Sequence, residues 1–509
     1  MNMMERIWEK MFVAATVLFC AAALAYGQSA AQKYVEQLKT TDELKEAVWG
    51  IKAVKAGGGS IAEYNSGIRM MPASNVKVFT TGLALNELGA DYRFKTRLAY
   101  SGSIEDGVLK GDLYIVGGGD PTIGARDSVA FALQKTFSEW EKLVRAAGIK
   151  SVEGYIVGDG RWLDCEPQNV SWQLEDAATG DGTVMTGLGF GSGLQAFTVA
   201  PGAKTGDPVK VTPTFPDTPW MNWTHTAVTG PSGSGDQLYY ACTDLAPVAS
   251  MTGSLALGTA SKRITCTNPF GALTCAFYFY RYLENKGIVA SEGPADIDPS
   301  GRLRDFAGEG AELRAAAAQD ALHFIGESKS PALNDIIRQA NRESDNYYAE
   351  ALLRILAKER TGSASFESCQ TARQDAFAKL GVSGADRVQF YDGSGLARKN
   401  YITPDFTVRF LTAMTKVPGY KDYLSSLPQA GSGTLASRLR SAPESVRKRV
   451  RMKSGSMNGV RCFSGYILAS DGKPENTIVF SIMTNNTVVP SSKMNFIMDR
   501  IITLLAEEN

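Results

Sequence analysis

The sequence predicts a mixed α/β (α+β) fold of about three domains, in which a helix-flanked antiparallel sheet is interrupted by inserted β-rich segments. Three observations carry this. The chain is 509 residues long, where one core serves roughly 100–200 residues. From residue 331 onward, clear helices alternate with strands. Residues 200–260 change character: Pro, Thr, Gly and Ser dominate around Thr229-Gly230-Pro231-Ser232-Gly233-Ser234-Gly235, the composition of turns and short strands.

The elements follow in order. Met11 to Ala25 is an apolar run preceded by Arg6 and Lys10, and small residues close it at Ala23-Leu24-Ala25 and Ala25-Tyr26-Gly27. This reads as a secretory signal over residues 1–27, too short for the roughly 20 apolar residues that span a bilayer. The bulky Phe19 before Cys20 excludes lipid attachment there. Residues 44–66 alternate around the Gly57-Gly58-Gly59 turn and predict strands, and 74–88 predicts a helix with an apolar stripe of Val76, Phe79, Leu83 and Leu85. Residues 92–165 are strand-like, with a helix at 128–147. Helices follow at 268–287, at 331–358 (one or two) and at 403–416, where Thr403-Pro404 supplies an N-cap and a first-turn proline. Val446 to Lys453 and Arg461 to Ala469 predict neighbouring strands joined by a 454–459 loop. Thr477 to Met483 is a third strand, and Met494, Ile497, Met498, Ile501 and Leu505 mark a core-packing helix.

Composition excludes several function classes. Lys plus Arg and Asp plus Glu each number 53, so there is no basic field of the kind that drives nucleic-acid binding. A hydrophobic fraction of 44% excludes a disordered chain. The two histidines, His225 and His323, exclude a His-rich metal site and point hydrolytic chemistry to another base; they read as structural or exposed. Beyond Cys20, Cys165, Cys242, Cys266, Cys275, Cys369 and Cys462 form an even set, open to three disulfides or to six thiols.

Three motifs occur in order: Ser74-Asn75-Val76-Lys77, Ser344-Asp345-Asn346 and Lys453-Ser454-Gly455. Each alone recurs by chance. Together, on a helix, an interhelix loop and a strand, they form the set known from serine β-lactamases and penicillin-binding proteins. Positions i and i+3 share a helix face, so the Lys77 amine reaches the Ser74 hydroxyl. A serine is a poor nucleophile until a base takes its proton, and a neutral lysine does so without histidine. That requires a depressed pKa, for which Lys453 is the expected second cation. Ser344 can relay a proton to a leaving amine, and Asn346 can hold Lys77. Ser454 and Lys453 suit a substrate carboxylate, and the backbone N–H groups of Ser74 and Ser456 suit an oxyanion.

The flanking residues carry a resemblance. Pro72-Ala73-Ser74 through Thr81, Leu88-Gly89-Ala90-Asp91-Tyr92-Arg93-Phe94, Gly117-Gly118-Gly119-Asp120-Pro121, Asn341 through Asn346 and Asp392-Gly393-Ser394-Gly395-Leu396 closely resemble the D-alanyl-D-alanine carboxypeptidase/endopeptidase family. These are the class C low-molecular-mass penicillin-binding proteins, peptidase family S13. Arg398, Asn400, Thr403-Pro404, Leu427-Pro428 and Gly433-Thr434-Leu435 match as well. The resemblance runs from about residue 45 to 505 and thins between 180 and 260. It implies a transpeptidase/β-lactamase-like domain I at 28–95 and 325–509, a domain II at 96–185 and 256–324, and a domain III nested at 186–255. It implies a serine DD-peptidase, exported to the periplasm or cell envelope, that acts on peptidoglycan stem peptides without metal or organic cofactor and is acylated by β-lactams. Trp172-Gln173-Leu174-Glu175-Asp176 resembles the family's aromatic-acidic substrate segment, with Asp176 in the acidic place, and Arg398 and Asn458 fall near the substrate. Departures are Ser454 in place of a threonine, Ala397 where a serine is frequent, and no Tyr-Gly in 176–180. The rival readings are a serine β-lactamase and a catalytically silent peptidoglycan-binding envelope protein.

Overall fold

The computed structural model describes residues 28–298, 300–305 and 314–508; the predicted leader and Cys20 lie outside them. The chain divides into two compact units: one from residues up to Asn75 with Tyr401–Lys416 and Pro428 onward, the other from Val76–Asn400 and Val417–Leu427.

The first unit is built on a five-stranded antiparallel sheet, in the order Val450–Met457, Val460–Ile467, Ile478–Asn485, Val48–Lys55, Ser60–Tyr64. The terminal helices Ala30–Leu38 and Ser491–Glu507 share one core with this sheet, through Val35, Leu38, Trp49, Phe463, Phe480, Met498 and Leu505. The helix Pro404–Met414 also packs on the sheet, and Tyr466 Oη donates to Leu411 O at 2.8 Å. Ile478–Asn485 is central and covered on both faces, so all eight of its residues are buried. Thr403 caps Pro404–Met414 by accepting from Phe406 N, as the Thr-Pro pair predicts. The sequence expectation fails at both ends of one strand, Val450–Met457. Residues 454–459 are not a loop: the strand runs on through Lys453, Ser454, Gly455 and Ser456 to Met457, and a two-residue Asn458-Gly459 turn closes the hairpin. Gly459 sits at φ 72°, which glycine adopts without strain. Val446 belongs to a short helix, Glu444–Arg449.

In the second unit the helix Val76–Leu88 is the centre of a helical cluster with Leu333–Arg342, Asn346–Thr361, Phe366–Lys379 and Tyr420–Ser426. Every residue from Val76 to Leu85 is buried, so the expected stripe is a helix enclosed all round. A six-stranded mixed sheet follows, in the order Leu303–Arg304, Gly293–Ile297, Tyr155–Asp159, Leu113–Val116, Lys95–Tyr100, His323–Lys329. Its core, around Phe137, Trp140 and Phe279, is shared with the helices Leu133–Ala146 and Gly271–Asn285. Residues 194–267 form a three-stranded and a four-stranded sheet around Phe197, Tyr240 and Met251, the β-rich insertion that their composition predicts. The six cysteines among the described residues are all thiols.

Candidate functional site

The motif residues divide between the units, and the chain crosses from one unit to the other between Asn75 and Val76. In the first unit, Ser74 lies in a tight turn, Ala73–Asn75, whose first residue holds φ 48°. A non-glycine residue there is strained and must be held by its surroundings. The buried Asn75 donates from Nδ2 to Cys462 O at 3.3 Å. Gly455 makes the close approach possible: a Cβ at this position would stand 2.5 Å from Pro72 O and 2.7 Å from Asn75 Nδ2. This is why the third motif ends in glycine. Lys453 is fully buried and donates to Ser454 O at 2.8 Å. Ser454 Oγ donates to Thr434 Oγ1 at 3.2 Å. Ser456 and Arg461 face each other in register, and the Arg461 guanidinium donates to Ser456 Oγ and to Ser491 Oγ. Asn458 is exposed in the hairpin turn.

In the second unit, Lys77 stands on the first turn of its helix with no exposed surface. Its Nζ donates to Asn346 Oδ1 at 2.6 Å and to Ser394 O at 2.7 Å. Burial pushes its pKa down to about 8, against Asp392, Asp345, Glu350 and Asp181, which raise it. Burial is the largest cause, so the direction expected from sequence is reached without assigning it to a second cation. Asn346 is held at its other end as well, donating from Nδ2 to Asp181 O at 2.7 Å. The second motif breaks the predicted 331–358 helix in two. Ser344 holds φ 60°, and Asp345 caps Asn346–Thr361 by accepting from Tyr348 N. Asp345 is pushed up to about 6, mainly by burial.

The Trp172 segment is pinned beside this group. Trp172 Nε1 donates to Asp392 Oδ2 at 3.0 Å and Asn169 Nδ2 to Tyr391 O at 2.6 Å. Asp176 lies in the short helix Leu174–Ala177, its pKa raised by burial and lowered by Arg398. Its Oδ2 is buried without a hydrogen bond, as is Arg398 Nε. Arg398 pairs with Glu175 at 3.6 Å. His225 and His323 are exposed, as expected. Among the described residues no group of three or more His, Cys, Asp or Glu is arranged to hold a metal ion, and no helix is long and apolar enough to cross a membrane.

Sequence reasoning missed Arg461, and it offered Thr434 and the Asp392-Gly393-Ser394-Gly395 turn only as parts of the family resemblance, with no role. That turn supplies the backbone acceptor for Lys77, which no side-chain pattern announces.

Residues 31–295 and 308–508 match the profile of a family described as D-Ala-D-Ala carboxypeptidase 3 (S13). A D-alanyl-D-alanine carboxypeptidase of Actinomadura sp. (strain R39) is 30% identical over 510 residues, covering 97% of this chain and 88% of that protein. The D-alanyl-D-alanine carboxypeptidase DacB of Haemophilus influenzae is 24% identical over 419 residues, 81% of this chain and 80% of that one. The crystal structure of penicillin binding protein 4 (dacB) from Haemophilus influenzae matches the fold with a TM-score of 0.76 at 21% identity, over 94% of this chain and 99% of that one.

Proposed function

The chain belongs to the D-Ala-D-Ala carboxypeptidase 3 (S13) family, and from that premise we propose that its three motifs work as one acyl-transfer set with Ser74 as nucleophile and Lys77 as base. The activity is that of a serine-type DD-peptidase, which cleaves ahead of a terminal D-alanine through a serine ester. The neutral Lys77 amine takes the Ser74 proton, and Oγ attacks the carbonyl of the penultimate D-alanine. The backbone N–H groups of Ser74 and Ser456 receive the oxyanion. Ser344 passes a proton to the departing amine of the terminal D-alanine, and water then hydrolyses the ester. Lys453 and Ser454 bind the substrate carboxylate. The observation that carries this reading is the Lys77 amine: fully buried, held by Asn346 and Ser394, three residues after Ser74 and lowered to about 8.

The substrates in this reading are peptidoglycan stem peptides, with D-alanyl cross-links cleaved at the same site. Penicillin and other β-lactams acylate Ser74, because the lactam carbonyl takes the place of the peptide carbonyl. A related Haemophilus influenzae protein of 21% identity has been solved as a complex with a β-lactam. The Asp176 carboxylate, with Arg398 beside it, meets the free amine of the stem's diamino residue, and Asn458 borders the substrate. Residues 1–27 direct export to the cell envelope, residues 96–185 and 256–324 are an insert in the catalytic domain, and 186–255 is nested within it. Incubation with labelled penicillin and mass spectrometry of the Ser74 peptide tests the reading. A long-lived penicilloyl ester on Ser74 is expected. Rapid turnover identifies a β-lactamase, and absence of any adduct identifies a silent scaffold.

A further inference from the structure

Asn346, Glu350 and Arg354 lie four residues apart along Asn346–Thr361 and share one face of that helix. Asn346 meets Lys77 directly. Glu350, one turn on, is 3% exposed, and its Oε1 accepts from Gly393 N at 2.9 Å and from Ser394 N at 2.8 Å. With those two N–H groups turned toward Glu350, the carbonyls of the same two residues face the helix Val76–Leu88: Gly393 O accepts from Thr80 Oγ1 at 2.7 Å, and Ser394 O accepts from Lys77 Nζ at 2.7 Å. Gly393 is pressed so closely on the Glu350 helix that a Cβ would stand 2.7 Å from Ala349 O. The far side of the turn is tied by Asp392, whose carboxylate accepts from Gly395 N, Ala397 N, Asn400 Nδ2 and Trp172 Nε1. A buried carboxylate is costly unless it is hydrogen-bonded and compensated. Glu350 is retained here beside Asp392, with Arg354 as the opposing cation.

We propose that Glu350 is a positioning residue for acylation: by clamping the Gly393 and Ser394 N–H groups it aims the Ser394 carbonyl at the Lys77 amine and so sets where that amine stands. The inference rests on the assignment of Lys77 as base. Within this unit the charged groups facing Lys77 are Asp181, Asp345, Glu350 and Asp392, and behind Glu350 stand Arg354, Arg373 and Cys369. Removing the clamp therefore alters both the rate and its pH dependence.

The test is the penicillin acylation rate of the whole chain from about pH 6 to 10, with the fraction of acylation-competent molecules titrated and Tm recorded. Glu350→Ala is expected to lower the high-pH plateau at least about tenfold per competent molecule and to displace the midpoint of the rising limb. Glu350→Gln, which keeps an acceptor oxygen for both N–H groups, is expected to recover the plateau to within about threefold. If the alanine variant does not fold, Glu350→Asp takes its place, since its carboxylate is withdrawn by one methylene. A plateau and limb like the parent's in the alanine or aspartate variant overturns the inference, as does a glutamine variant no better than alanine. Lys77→Ala is the control: parental acylation by that variant overturns the base assignment itself, whereas an inactive Lys77→Ala beside a fully active Glu350→Ala overturns only the role of Glu350.

Discussion

At the scale of single residues, the proposed role of Lys77 as base turns on its burial, which works against its charge. An amine lowered to about 8 is roughly one-tenth neutral at pH 7, half neutral near pH 8 and almost wholly neutral only above about pH 9. Ser74 acylation is therefore expected to rise with pH and to reach half its plateau near pH 8, as measured with labelled penicillin. Lys77→Arg keeps a charge that cannot be removed, and it is expected to lower the plateau by about 10²–10⁴-fold. Ser74→Ala is expected to abolish both labelling and D-alanine release with Tm unchanged; labelling above about a tenth of the parent's would move the nucleophile elsewhere. Asp176 makes a different prediction. Its buried oxygen lacks a partner, and Asp176→Asn is expected to weaken cleavage of a diamino-containing peptide by about 1.5–3 kcal/mol. Penicillin acylation and cleavage of the N-acetylated peptide stay near the parent's rate. Equal losses on all three substrates would make Asp176 a support of the fold.

At the scale of elements, the placement of Ser74 in the first unit depends on how closely the Ala73–Asn75 turn approaches the strand Val450–Met457. Gly455→Ala inserts a Cβ at 2.5 Å from Pro72 O. It is expected to cost about 1–3 kcal/mol in thermal denaturation and to slow acylation as the turn is displaced; an unchanged Tm and rate would show that the turn yields freely. The Gly117-Gly118-Gly119-Asp120 turn gives a pH test. Burial raises the Asp120 carboxyl to about 6, against an ordinary 3.8. The folded state thus holds this proton more tightly than the unfolded state. The group favours folding below about pH 4, and that contribution is lost as pH rises through about 6. Asp120→Asn keeps an acceptor for Thr122 and removes the titration. Its Tm relative to the parent is expected to rise between about pH 4 and pH 7, by no more than the equivalent of about 3 kcal/mol. A constant difference would mean that Asp120 does not titrate in that window.

At the scale of the whole molecule, several separate apolar cores carry the fold, and among the described residues no disulfide is formed. The sequence left three disulfides and six thiols equally open, because an even cysteine count says nothing of distance. The structure holds all six as thiols, four of them buried and Cys165 and Cys242 half-buried. The thiols of those two are pushed up to about 11 by burial. Alkylation in denaturant without reductant is therefore expected to modify all six of these cysteines, and Tm is expected to be the same with and without reductant. Modification only after reduction would show disulfides.

The residue types of the site and most elements were legible in the sequence, because both are local. The Ser74-Asn75-Val76-Lys77 spacing marks the first motif, Thr403-Pro404 opens a helix, and a turn-rich composition marks the β-rich insertion. What only the tertiary structure decided is how the base is held. Ser394 offers Lys77 a carbonyl and Asp181 offers one to Asn346, so their side-chain identities carry no catalytic pattern, and the Glu350 carboxylate meets Gly393 and Ser394 only through a contact more than forty residues apart in sequence. The lowered pKa of Lys77 likewise has burial as its largest cause, a property of the helices packed around Val76–Leu88. The strand through Ser454–Ser456 was read as a loop for a related reason. Its glycine and serines have low strand propensity, and only the close approach of the Ala73–Asn75 turn explains why small residues stand there.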